Sequence, residues 1–326
     1  MRLLIRRRPI TFLLILLFLF MVFYLGRITS DAPECSLLSK AAGDTHSTEK
    51  LKTHLIILIM SGPNEVNERQ TVRETWLNIG SFDKSEIVPL FPIGTKDISE
   101  NERKRLEVEA VEYKDLVFID KLADSFDNLS KKTAFGIEIA VRDYNFSYLL
   151  KTDTDSFVRV GYLLKALQDI DNPLLYWGFL DGRAKPFRRG KYKESGYVLC
   201  DRYLPYQLGG GYVLSYKLCS FIASNVDLLR FYRSEDASVG FWIAGLKVKY
   251  VHDPRFDTEF ISRGCNNRYL VTHKHSKQQL IKFANNIRET GRLCESEFQL
   301  RPSYVYDFSV PPSQCCSRVN NGSNIP

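Results

Sequence analysis

Continuous apolar runs, each closed by a turn signal and followed by a polar stretch of helix length, fill the first half of the chain. His54 to Met60 is such a run and ends at Ser61-Gly62-Pro63, the pattern of a strand buried on both faces and its turn. Asn64 to Ile79 has helical character, with Arg69 and Arg73 four apart on one face. Ile87 to Ile93, closed by Gly94-Thr95, predicts a second strand, Asp97 to Glu112 a highly charged helix, and Leu116 to Ile119 a third strand. Ser130 to Arg142 follows as a third helix and Tyr148 to Thr152 as a fourth strand. Strand and helix alternating through short turns predict an α/β domain with a mainly parallel central sheet flanked by helices. The second half is less regular. Leu174 to Leu180 and Gly209 to Ser215 read as strands, and Ser234-Glu235-Asp236 opens a helical stretch, Ala237 to Ala244. The triple glycine Gly209-Gly210-Gly211 implies close backbone approach to a ligand or to another strand, or a bulge in a packed sheet.

One apolar run is of another kind. Ile10 to Leu25 follows Arg2, Arg6, Arg7 and Arg8 and is long enough to span a thin bilayer, with the arginines on the cytoplasmic side. No good small-x-small cleavage site follows, so the run reads as an uncleaved signal-anchor rather than a cleaved signal peptide. That divides the chain into a cytoplasmic tail (1–9), a transmembrane anchor (10–26), a luminal stem rich in polar residues (27–52), a single luminal domain (53–318) and a short tail (319–326). The formal charge is +7, of which those four arginines supply four, and the remainder is too small to argue for nucleic acid as a partner. Seven cysteines are compatible with disulfides in the lumen. Sequence alone leaves their pairing open, and the odd number leaves at least one unpaired within the chain. Acceptor sequons for N-glycosylation stand at Asn128, Asn145 and Asn321.

The candidate chemistry sits at the end of the fourth strand. Tyr148-Leu149-Leu150-Lys151-Thr152 runs into Asp153-Thr154-Asp155, and two carboxylates at i and i+2 on extended chain point the same way. Such hard oxygen ligands can hold a divalent cation, which in turn grips a diphosphate. Asp169-Ile170-Asp171 has the same spacing but runs into Asn172-Pro173 and reads as a turn. No glycine-rich phosphate fingerprint appears, which argues against kinases and dehydrogenases. His252, His273 and His275 are the other obvious metal donors, although a lone histidine is more often structural. Asp236 at a helix start has the ordinary reading of a cap. The basic run Arg183, Lys185, Arg188, Arg189, Lys191 and Lys193 reads either as a solvated loop or as a rim that attracts an acidic partner.

Taken together and in order, Arg69-Gln70-x-x-Arg73-x-Thr75-Trp76, Asp127-Asn128-Leu129-Ser130-x-Lys132-Thr133, Asp153-x-Asp155, Gly209-Gly210-Gly211-Tyr212-Val213-Leu214-Ser215 and Glu235-Asp236 resemble the motifs of the animal β-1,3-glycosyltransferases. His252-Asp253-Pro254-Arg255-Phe256-Asp257-Thr258-Glu259, Ser262-Arg263-Gly264-Cys265, Tyr269 to Lys274, Ser303 to Asp307 and Pro311-Pro312-Ser313-Gln314-Cys315-Cys316 are similar to one branch of that family, galactosyltransferase II. That branch adds the second galactose of the proteoglycan linker tetrasaccharide. The resemblance implies a GT-A fold, UDP-galactose as donor, Mn2+ as cofactor and galactosyl-xylosyl core proteins as acceptors. It also implies a single-pass type II protein of the Golgi membrane, associating with other linker glycosyltransferases. By family position, Asp236 is the catalytic base of an inverting transfer, and Asp155, His273 and Asp153 form the metal site, with Asp153 on the ribose or a metal-bound water. Arg69, Arg73 and Lys132 go to the donor, with a buried structural partner as the equal alternative for Arg73, and Trp177, Gly210, Gly211, Tyr212 and Glu235 go to the acceptor. Where the family has a third, middle acid this chain has Thr154. Strand alternation points that side chain away from the other two, so the metal site is expected to survive the change. A luminal metal-dependent phosphohydrolase would need more carboxylate and histidine ligands than are present. A fold-derived chaperone would have no reason to keep Asp153, Asp155, Asp236 and His273 together. Within the family the alternatives are a different β-galactoside acceptor or UDP-N-acetylglucosamine as donor.

Overall fold

The computed structural model describes residues 17–21, 50–80 and 82–318. Residues 17–21 are helical, and among the described residues no helix is long and apolar enough to cross a membrane. Most of the expected anchor, the cytoplasmic tail, most of the stem, Cys35 and Asn321 lie outside the described residues. The stem boundary is corrected at its end: Leu51–Lys52 already pairs in parallel with Tyr144–Asn145, so the folded unit takes in residues assigned to the stem.

That unit is built on seven strands: β1 (Leu55–Met60), β2 (Ile87–Gly94), β3 (Leu116–Ile119), β4 (Tyr148–Asp153), then after a short β5 (Phe157–Val158) β6 (Leu175–Asp181), β7 (Tyr206–Ser215) and β8 (Lys249–His252). The sheet order is β8-β6-β7-β4-β1-β2-β3. All neighbours are parallel except the pairs that β7 makes with β4 and β6. Because β7 runs backwards, its glycine-rich first half lies at the carboxyl end of β4, with Gly211 opposite Thr152. A second, three-stranded sheet pairs β5 with β10 (Val271–Thr272) and β10 with β9 (Phe256–Asp257).

Strand alternation divides the core. Leu55, Ile57 and Ile59 of β1 face a layer containing Val72, Leu163, Leu167, Leu280 and Ala284. These side chains belong to α1 (Val66–Glu74), α4 (Val160–Ile170) and α7 (Lys277–Thr290). Ile56, Leu58 and Met60 face the other layer, from α3 (Leu129–Asp143), α5 (Tyr216–Ser224) and α6 (Glu235–Ile243). The remaining helix, α2 (Glu100–Tyr113), starts in a capping box made by Ser99 and Glu102. Each strand expected in the first half is present within a residue or two, the helix after β1 is shorter than its sequence pattern, and Asp169-Ile170-Asp171 falls at the end of α4. Cys265 pairs with Cys294 and Cys315 with its neighbour Cys316, leaving buried Cys219 and exposed Cys200 as thiols.

Arg69 and Arg73 act inside this frame. Arg69 is wholly buried, donating through Nε and Nη2 to both oxygens of Glu109 (2.7 and 2.6 Å) and through Nη1 to Ser61 Oγ and the Gly62 carbonyl. Arg73 donates to Asp115 and to Glu109 at 2.8 Å and stacks over Tyr113. The expectation that these two guanidiniums hold the donor is therefore corrected, because their donors are taken up by the carboxylates of α2 and the residue before β3. Burial opposes the charge on Glu109, yet the two arginines hold its carboxyl below the ordinary range. Replacing Arg69 by Met leaves the buried Glu109 carboxylate to Arg73 alone and is expected to lower unfolding stability by up to about 3–5 kcal/mol in urea titrations, with part of the loss recovered on adding Glu109→Gln. Unchanged stability with a raised donor KM would return Arg69 to the donor site.

Candidate active site

At the carboxyl edge of the sheet, the turns that follow β1 and β2 are pinned by buried charge. Lys132 of α3 donates to the Ser61 carbonyl and to Asp124, and Asp124 accepts from the Gly94 backbone N–H at 3.0 Å. Burial lowers the Lys132 ammonium below its ordinary value, against the pull of Asp124. Lys132, expected on the donor, thus holds the floor of the cleft from beneath.

Between these turns and β7 lies the acidic centre. Strand alternation is not what aligns its two carboxylates: β4 ends at Asp153, and Thr154-Asp155 form a turn closed by Ser156 N–H on the Asp153 carbonyl at 3.1 Å. His273 reaches them by strand pairing. β5 begins two residues after Asp155, β10 ends one residue before His273, and the two pair with Phe157 opposite Thr272. As a result His273 Nδ1 stands 2.9 Å from Asp155 Oδ1 and 2.9 Å from Ser156 Oγ, while Nε2 is 3.9 Å from Asp153 Oδ2. Each of Asp153, Asp155 and His273 offers one ligand atom within 4.8 Å of the others. Asp155 Oδ1 is buried and lacks an aligned hydrogen bond despite its close histidine, which suits an atom that serves a cation. Burial would raise the Asp155 carboxyl, but His273 and Lys274 beside it bring it down to about 2. The donor set therefore fits a divalent metal.

The glycines explain themselves here. A Cβ on Gly210 would lie 2.5 Å from the His273 ring, one on Gly211 2.9 Å from Val271, and one on Gly209 3.1 Å from Asp236. The close approach is to the side chains of the site. Gly210 also accepts from Ser156 Oγ and Thr152 Oγ1 through its carbonyl.

Asp236 stands in the first turn of α6, half-buried, accepting the Gly209 N–H on Oδ2 and the Ala237 N–H on Oδ1, both at 2.9 Å. Burial and the neighbouring Glu235 carboxylate push its carboxyl up to about 7, against the pull of Lys151 and of these two N–H groups. Lys151, which sequence reasoning passed over, ties the two halves together. Its buried ammonium donates to Asp153 Oδ1 and the Gly209 carbonyl at 2.8 Å and lies 3.0 Å from Glu235 Oε2. The signal was a single lysine in an otherwise apolar strand, two residues before Asp153 and so on its face.

The expected acceptor contacts are corrected by burial. Trp177 lies in the core against Phe256, its Nε1 donating to Asp253. Tyr212 donates from the core to Glu235, and Glu235 is spent on Tyr212 and Lys151. Gly210 and Gly211, also buried, serve His273 and its strand. His252 is structural: burial lowers it to about 4, and its ring takes the Leu180 N–H and meets the Tyr304 carbonyl. Of the sequons, Asn145 is exposed, whereas Asn128 is half-buried with Nδ2 on the Ala123 carbonyl.

Residues 67–254 match the family described as galactosyltransferase. Over 299 residues the chain is 41% identical to beta-1,3-galactosyltransferase 6 of Mus musculus, covering 90% of each. It is 31% identical over 247 residues to hydroxyproline O-galactosyltransferase GALT6 of Arabidopsis thaliana, covering 73% of this chain and 35% of that one. Among solved structures it is similar to a mannosyltransferase of Pyrobaculum calidifontis in complex with GDP-Man and Mn2+, at 12% identity and a TM-score of 0.36 over 62% of this chain and 55% of that one. The family match defines an enzyme class, glycosyltransferase. The chain belongs to the galactosyltransferase family.

Substituting Gly210 by Ala is expected to displace His273 and weaken Mn2+ binding about 10–100-fold in calorimetric titration, with the fold retained by circular dichroism. Unaltered Mn2+ affinity would exclude His273 as a ligand.

Proposed function

We propose that the protein is an inverting β-1,3-galactosyltransferase of GT-A type. It moves galactose from UDP-galactose to the galactose of Gal-β1,4-Xyl-O-Ser on proteoglycan core proteins. The observation that carries this reading is the placement of Asp236 and the Asp153, Asp155 and His273 cluster at one sheet edge, bridged by Lys151. The choice of acceptor is supported by the 41% identity to beta-1,3-galactosyltransferase 6 and by the branch motifs from His252 to Cys316.

In this reading the acceptor 3-hydroxyl oxygen forms a bond to the anomeric carbon as the bond from that carbon to the diphosphate breaks. The hydroxyl proton passes to Asp236, and UDP leaves with the electron pair. A carboxyl near 7 is matched to this task, charged often enough to act and basic enough to accept. Two backbone N–H groups fix its oxygens and leave a lone pair on each for the acceptor. Asp155, His273 and Asp153 would hold a divalent cation, and Mn2+ there supplies Lewis-acid stabilisation of the departing diphosphate. Lys151 donates to Asp153 Oδ1 and holds it in place. The basic start of the chain and its apolar run support a type II protein of the Golgi membrane, where other linker glycosyltransferases would be its partners.

The test is the full chain in detergent with UDP-galactose and a galactosyl-xyloside, with Mn2+ and with chelator. Mn2+-dependent formation of a β-1,3-linked product is expected. Donor hydrolysis without transfer would discard the acceptor, and no binding of UDP-galactose would discard the donor. Asp236→Asn should cost about 10²–10⁴-fold in kcat with UDP affinity unchanged. The base works ionised, so log kcat/KM should rise with slope one as pH increases and level off above about 7. A flat profile across that region would remove Asp236 from the proton transfer.

A further inference from the structure

The basic segment after β6 is a hairpin-shaped loop with one isolated bridge, Phe187 to Lys193, and no paired strands. Glu194 N–H donates to the Phe187 carbonyl at 2.8 Å, Lys193 N–H to the Gly190 carbonyl at 3.0 Å, and Gly190 turns the tip with φ of 76°. Its base is fastened to the segment that leads into α6. The buried Glu194 carboxylate accepts the Arg233 N–H at 2.9 Å, and Arg233 Nε donates to the Lys191 carbonyl at 2.6 Å. Arg233 precedes Asp236 by three residues, so the hairpin is built onto the mount of the proposed base.

The charge on this hairpin is unbalanced. The flanking Arg183 and Arg233 pair with Asp181 at 3.7 Å and Asp127 at 2.7 Å. Among the described residues, Lys185, Arg188, Arg189 and Lys193 have no carboxylate within 4.0 Å, and all four are exposed. Beside them Phe187 and Tyr192 are 59% and 44% exposed, with ring centroids 6.0 Å apart. Like charges held together on a stiff loop repel one another, and an anionic ligand relieves that repulsion. The exposed rings supply flat apolar surface beside the cations, which suits a polypeptide.

We propose that this hairpin is a docking site for an acidic stretch of the acceptor polypeptide next to the glycosylated serine. The inference rests on the protein-linked acceptor proposed above: the hairpin is hydrogen-bonded to Arg233, three residues before Asp236, so a polypeptide attached to a sugar at Asp236 would lie within its reach. The site would act on capture and orientation of the acceptor, while the chemistry stays with Asp236.

The experiment compares the full chain in detergent with its Arg188→Glu/Arg189→Glu variant on three acceptors. These are a galactosyl-xylosyl peptide with glutamates around the serine, the same peptide with glutamines, and a free galactosyl-xyloside. The unaltered chain should have the lowest KM for the acidic glycopeptide, with an advantage that shrinks as salt rises. The variant should lose roughly tenfold in kcat/KM on that substrate and stay within about twofold on the xyloside. An equal effect on all three acceptors, or no acidic preference in the unaltered chain, overturns the proposal. So does loss of binding to vesicles containing phosphatidylserine with peptide discrimination intact, which would make the hairpin a membrane contact. If no acceptor is used at all, the acceptor reading falls by itself. Fluorescence anisotropy of a labelled glutamate-rich peptide then decides, since binding lost in the variant sustains the docking site and absence of binding to the unaltered chain ends it.

Discussion

One buried ammonium holds this site together. Lys151 rises from the middle of a fully buried strand with no water to solvate it, so its charge is sustained only by the oxygens around it. Those oxygens come from three places: Asp153 at the end of its own strand, the Gly209 carbonyl of the antiparallel neighbour, and Glu235 at the start of α6. Burial opposes the charge, yet Asp153 and Glu235 raise the ammonium above its ordinary value. The same charge counts in the opposite sense at Asp236, where it restrains a carboxyl that burial and Glu235 drive upward. The acidic cluster and Asp236 are thereby electrostatically one unit.

The rest of the geometry follows from strand direction. A wholly parallel sheet would have put Gly209-Gly210-Gly211 at the far edge, away from Asp153. With β7 reversed, the three glycines run across the site and each admits a neighbouring side chain that a Cβ would crowd. The small β5-β10-β9 sheet does the same for His273, since its register decides which histidine of His273-Lys274-His275 faces Asp155. His275 is left to Thr272, and its backbone N–H to the Asp155 carbonyl.

Much of this was legible in the chain, for reasons that also mark where legibility stops. The run Leu55–Met60 is fully apolar because both faces are covered, whereas Leu116–Ile119 at the sheet edge is half-buried, and turn signals place both within a residue or two. Asp153 and Asp155 were visible as a pair at a strand end. The turn that orients them was not, because alternation gives the same answer for a different reason. Partners distant in sequence were invisible: Glu109 lies 40 positions from Arg69, and nothing local distinguishes a guanidinium that meets a phosphate from one that meets a buried glutamate. Trp177 and Tyr212 carry the same lesson, since their motif positions are those of a site while their side chains face the core. The helix α7 carried its own opening signal, the capping box of Ser276 and Gln279, whereas α5 starts directly from β7 with no side-chain cap.

Among the described residues Asp236 is gripped through main-chain amides, those of Gly209 and Ala237, and its proton affinity is raised first by burial and then by Glu235, and lowered by Lys151 and by those same amides. Position and acidity therefore share the two amides, while the charges of Lys151 and Glu235 bear on acidity. Substitution at those two buried positions would shift the titration of Asp236 while the backbone that holds its oxygens stays in place.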